Sequence, residues 1–141
     1  MSTAEGFDYF EVAADVGIRA WGATLDGAFR QTGLGLFALI VDPESVKEQE
    51  SREVRAQGDT RESLLVNWLN DCLYLHDVEG FVARRIDFAI FEGRRLHSIL
   101  WGEEVDPARH RCGTVVKAAT YHQLTIRPAT GGWEIRVILD I

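Results

Sequence analysis

The sequence predicts a single α+β domain over residues 1–141, a mixed or antiparallel sheet with two main helices packed on one face. Two stretches carry apolar residues at the spacing of amphipathic helices. The other apolar stretches are short and alternate as strands do, and the helices fall among them without a regular βαβ succession. At 141 residues, 46% apolar and 26% charged, the chain suits one globular domain that buries roughly two-thirds of its unfolded surface. No repeat, low-complexity tract or linker divides it.

Residues 7 to 22 read as two short strands, with Ile18 and Ala20 on the inner face. Thr24 offers an N-cap for a helix reaching about Val41, whose apolar stripe is Leu25, Ala28, Phe29, Leu36, Phe37 and Ile40. Gly27, Gly33 and Gly35 weaken that helix by up to ~1 kcal/mol each, which predicts close packing against a neighbour. Pro43 stops it, because the residue before a proline is pushed out of helical geometry. A charged stretch over about 46–57 suits an exposed strand. "DTRE" at 59–62 resembles a capping box, Asp59 accepting from first-turn amides and Glu62 reaching back, and opens a helix to about His76. Further strands are expected over 81–91 and 94–102, along "GTVVKAATYHQLTIR" from 113, and in the terminal "GWEIRVILDI".

Composition excludes several classes of function. A formal charge of -7 argues against direct nucleic-acid binding, since phosphate contacts need clustered Lys and Arg, and here the basic residues are scattered. The N-terminus lacks a signal-peptide pattern and no apolar run approaches the roughly 20 residues of a membrane span, so a cytoplasmic protein is expected. Cys72 and Cys112 lie far apart with no CxxC and read as reduced thiols. No GxSxG, P-loop, GxGxxG or HExxH occurs, and no nucleophile has a legible partner, so no catalytic residue is assigned. His76, His97, His110 and His122 are dispersed and read as surface or helix-end residues.

Two places carry more information. In "VAADVGIRAWG", Asp15 stands at the mouth of a strand, and in the terminal "VILDI" Asp140 sits one residue from the chain-end carboxylate of Ile141. If the first and last strands are neighbours, three carboxylates converge, and crowded like charges call for a cation. Ligation by oxygens alone suits a hard ion such as Ca²⁺ or Mg²⁺, calcium being favoured if backbone carbonyls contribute. A strand-end Asp that merely caps a turn, and a terminal Asp that faces water, remain the alternative. Lys117, sharing a strand face with Ala119 and Tyr121, either reaches solvent or neighbours the carboxylates. Trp21, Trp101 and Trp133 each adjoin a glycine and read as rim packing or a docking surface.

Taken together, "ADVGIRAWG", "LGLFALIVDP", "SLLVNWLNDCLYLHDVEGF", "LHSILWGE", "DPARH", "GTVVKAATYH" and "VILDI" resemble archease, collinearly from about Tyr9 to Ile141. The resemblance implies an α+β cytosolic protein that activates a tRNA-splicing RNA ligase of the RtcB type. It would promote GTP-dependent guanylylation of the ligase's active-site histidine and repeated turnover in tRNA splicing or RNA repair. It implies calcium as the ion, with Asp15, Asp140 and Ile141 as the metal-binding residues and Lys117 as a ligase-activation candidate. The acidic surface would suit docking on a basic ligase. Where the family commonly reads H-T-A-D this chain has Val12, Ala13, Ala14 and Asp15, and Val115 replaces an acid in the G-T-E-V-K stretch. The rival readings are a small metal-dependent hydrolase using the same carboxylates and Lys117, and an adaptor module with no metal role.

Overall fold

The computed structural model describes residues 4–141. Among them the order is β1 (Gly6–Val12), β2 (Asp15–Gly22), α1 (Leu25–Ile40), a 3₁₀ turn (Pro43–Ser45), β3 (Glu50–Gln57), α2 (Arg61–Glu79), β4 (Phe81–Phe91), β5 (Arg95–Glu104), β6 (Ala118–Ala119), β7 (Thr125–Ala129) and β8 (Gly132–Asp140). This is the expected α+β class with two main helices. All pairings are antiparallel, and the strands divide into two sheets. One runs β1-β2-β8-β6, with β7 also on β8, and the other runs β3-β5-β4. The last strand, β8, lies beside the second strand, β2, which carries Asp15, and not beside the first, β1.

Thr24 caps α1 as expected, its hydroxyl accepting from the Gly27 amide at 3.1 Å. The cap of α2 lies one residue later than the expected Asp59 and Glu62. Thr60 Oγ1 accepts from the Ser63 amide and Ser63 Oγ accepts from the Thr60 amide, both at 3.0 Å. Two short hydroxyls reach the first-turn amides without the longer carboxylate arm of Glu62. The helix then runs past His76 to Glu79, where Gly80 at φ 70 closes it in the left-handed conformation that glycine adopts without a Cβ penalty. The apolar pattern stops at Leu75 because this last turn is solvated.

The long strand expected from Gly113 is broken. The Gly113 and Thr114 amides donate to Ile40 and Leu39 carbonyls at 2.8 and 2.7 Å, so the end of α1 recruits this segment. Before the turn only Ala118–Ala119 pairs with β8, and Gln123 at φ 53 turns the chain so that it rejoins β8 as β7. Tyr121 consequently lies outside β6, not on a strand face shared with Lys117.

Each helix touches both sheets, which makes the core continuous. On α1, a side chain at Gly33 would meet Trp68 and Ile86, and one at Gly35 would meet Ile18 and Phe7, so these glycines do buy close approach. Trp68 is fully buried and donates its indole N–H to Ser98 Oγ at 2.9 Å, and Ser98 in turn donates to the Val54 carbonyl at 2.8 Å. The core's polar atoms are thus satisfied, as burial demands.

Candidate functional site

Backbone pairing explains what stands at the end of the five-stranded sheet. Val16 faces Leu139 and Gly17 faces Ile138, so the pairing ends one residue short of Asp15 and Asp140 and leaves both at the same end of the sheet, where a continued register would bring them opposite each other. Residues directly opposite in an antiparallel pair project from the same face. On the other side of β8, Ala118 faces Asp140, and the Lys117 amide donates to the Asp140 carbonyl at 2.8 Å. β8 is thus the centre strand, with Asp15 arriving from one neighbour and Lys117 from the other.

Asp15 is half-buried, whereas Lys117, Asp140 and Ile141 are exposed. None of the three charged side chains forms a hydrogen bond or ion pair with another described residue. Asp15 follows a two-residue turn, Ala13 and Ala14, that joins β1 to β2, and Ala13 sits at φ 47, a region costly for an L side chain. The polar His-Thr pair of the resembling family is replaced here by Val12 and this strained alanine.

The donor set can be tested against a metal. Among the described residues no three His, Cys, Asp or Glu side chains come together as a ligand cluster. An ion at this sheet end would need the two aspartates together with the Ile141 carboxylate, main-chain carbonyls or water. Such a set is all oxygen and anionic, which fits a hard divalent cation rather than zinc.

Sequence reasoning passed over two features. Asn70 of α2 accepts from the Ala119 amide at 2.8 Å and donates to the Ala119 carbonyl at 3.4 Å. Its carboxamide takes the place of a further strand on β6, and so holds the two-residue strand that presents Lys117. The only signal in the sequence is an amide side chain inside an apolar helical run.

The second is a buried network at the end of β5. Glu103, 4% exposed, accepts from the Lys47 amide at 2.6 Å, from Arg109, and from His110 Nε2 at 3.0 Å. Hydrogen bonding by Arg109 outweighs burial and holds the Glu103 carboxyl down at about 2. His110 Nδ1 accepts from the Asp106 amide at 2.7 Å, which assigns the ring proton to Nε2. His110 is therefore buried and structural, not a surface residue. His97 Nε2–H donates to Glu53, His76 Nδ1–H donates to the Phe81 carbonyl near the end of α2, and His122 is exposed.

Cys72 is buried and Cys112 exposed, both as free thiols. Trp21, Trp101 and Trp133 are half-buried, each with a guanidinium over its ring, from Arg19, Arg85 and Arg61 respectively.

Fold and site together define a small two-sheet α+β protein whose second and last strands bring two aspartates to one end of the five-stranded sheet. The chain belongs to the archease protein family, whose model matches residues 7–141. It is 37% identical over 139 residues to the archease of Pyrococcus abyssi, covering 96% of this chain and 98% of that one. To the archease of Saccharolobus islandicus it is 41% identical over 136 residues, with the same coverage. The solution structure of Methanobacterium thermoautotrophicum protein 1598 superposes with a TM-score of 0.80 at 33% identity, covering 96% of this chain and 99% of that chain. The crystal structure of a Thermotoga maritima archease, called a possible chaperone, shares the fold with a TM-score of 0.64 at 20% identity, over 100% of this chain and 98% of that one.

Proposed function

We propose that this protein is an accessory activator of an RtcB-type RNA ligase and not itself an enzyme. It promotes GTP-dependent guanylylation of the ligase's active-site histidine, and its own ion is calcium, held by Asp15, Asp140 and the Ile141 carboxylate. The observation that supports this reading is the pairing of β2 with β8, which leaves Asp15 and Asp140 at one sheet end, with the Lys117 amide hydrogen-bonded to the Asp140 carbonyl from the far side.

The chemistry follows from charge. Two aspartates and one terminal carboxylate repel one another, and a divalent cation with eight or fewer oxygen ligands offsets that repulsion while fixing the sheet end. Lys117, tied to Asp140 through its backbone amide, carries an exposed ammonium able to meet a phosphate or carboxylate of the partner. No nucleophile and base are adjacent here, so the protein's contribution would be to position the ligase's groups, the GTP chemistry remaining on the ligase. The net charge of -7 favours a basic docking partner and steers encounter with it. Cytoplasmic residence belongs to the same proposal; among the described residues no helix is long and apolar enough to cross a membrane.

Transfer of labelled GMP from GTP to the host's own ligase tests the reading. Wild type should raise the yield of guanylylated ligase, and Lys117→Ala should not. Divalent-dependent hydrolysis by the purified protein alone would favour the hydrolase reading instead. Equal guanylylation with and without the protein would remove the activator role.

A further inference from the structure

A cleft of about 370 Å³ lies between α2 and the free edge of β3, away from the aspartate pair. β3 ends its sheet and pairs only with β5. The Gly58 amide continues that ladder by donating to the Arg94 carbonyl at 2.9 Å, so even-numbered residues of β3 turn their backbone groups toward β5. Odd-numbered residues turn theirs outward. At the two ends these outward carbonyls are occupied, Gln57 by Asn67 of α2 at 2.8 Å and Ser51 by Arg52 at 2.9 Å. Between them, the amide and carbonyl groups of Glu53 and Arg55 have no partner among the described residues and open into the cleft.

The opposite wall is built to receive side chains. Tyr74 and Val78 lie one helical turn apart on α2, 59% and 66% exposed, two of the few large apolar residues left in water. Asp71, one turn earlier, has no cation beside it, and partial burial raises its carboxyl above the ordinary value.

We propose that this cleft is a docking groove for an extended segment of a partner protein, which adds as a strand to β3, lays alternate apolar side chains on Tyr74 and Val78, and sets a basic side chain against Asp71. Strand addition supplies backbone hydrogen bonds from Glu53 and Arg55, and the helix wall supplies side-chain selectivity. A second copy of this chain does not fit by its own β3. α2 packs chiefly on β3, beneath the edge itself, and two-fold pairing would bring two such helices within a strand spacing of about 4.8 Å. Packed helices need about 8–10 Å.

The proposal is tested by selecting a phage-displayed library of random eight-residue peptides on the full-length protein. Val78→Asp, Asp71→Lys and Arg55→Pro serve as parallel targets. Val78 and Asp71 are exposed helix positions, and proline at 55 removes only an outward amide, which edge strands tolerate. Selected peptides should carry apolar residues at every second position with a Lys or Arg among them. They should bind Val78→Asp and Arg55→Pro at least tenfold more weakly, and on Asp71→Lys the basic preference should vanish. In amide NMR spectra, a selected peptide should shift Glu53 and Arg55 before any residue of the Asp15–Asp140 end. No enrichment over a blank surface, or pools indistinguishable between wild type and Val78→Asp, would overturn it. So would self-association of the protein through β3, which would assign the edge to a second copy.

Discussion

At the scale of single residues, Asp15 and Asp140 are placed by backbone register alone. Alternation along "VILDI" puts Asp140 on a defined face, but its partner depends on β2 lying next to β8, a long-range pairing invisible in local sequence. If the pair holds calcium, Asp140→Asn should weaken calcium binding at least tenfold by calorimetric titration, and Asp15→Asn should do likewise. Unchanged affinity in both would remove the two aspartates from the ligand set. Ala13 was legible only as a departure from the resembling motif, since its φ of 47 arises from the tightness of the turn. Ala13→Gly relieves that conformation and should stabilise the protein by about 0.5–1 kcal/mol, read as a higher thermal midpoint.

At the scale of elements, β6 is the weak member of the site. Two residues of strand hold few ladder bonds, and the Asn70 carboxamide makes up the deficit. Asn70→Ala should speed hydrogen exchange at the Ala119 amide by tenfold or more while exchange in β2 stays unchanged. Asn70→Asp, which keeps an acceptor for that amide, should restore most of the protection. The Glu103 network ties β5 to the Asp106–His110 turn ahead of Lys117. Its carboxyl falls from 4.5 to about 2 on folding, so the folded state binds fewer protons than the unfolded chain within that window. The stabilisation is complete above pH 4.5 and fades as pH falls toward 2. Glu103→Gln should cost about 2 kcal/mol at pH 7, with the two midpoints converging near pH 2 in thermal melts.

Helix existence was legible at this scale because an apolar stripe and a cap are local signals, as Thr24 and the stripe from Leu25 to Ile40 show. The broken strand after Gly113 was not, because free carbonyls at the end of α1 compete for its amides from 70 residues away in sequence. His110 looked like any isolated histidine. Its burial depends on Glu103 folding back over it, which no spacing rule encodes.

At the scale of the whole molecule, two antiparallel sheets share one core because each helix packs on both. Composition and alternation carry the α+β class, whereas the division into two sheets follows from which edges meet, a tertiary property. The Asp15 and Asp140 ends and the exposed Lys117 gather the proposed activity at one end of the five-stranded sheet. The proposed activity is therefore read in another protein's turnover. Ligation product per ligase molecule, measured with the cognate ligase, GTP and a divalent ion, should reach many turnovers with wild type. With Asp140→Ala, or with no addition, it should stay near one. Equal yields in all three reactions would contradict the activator role.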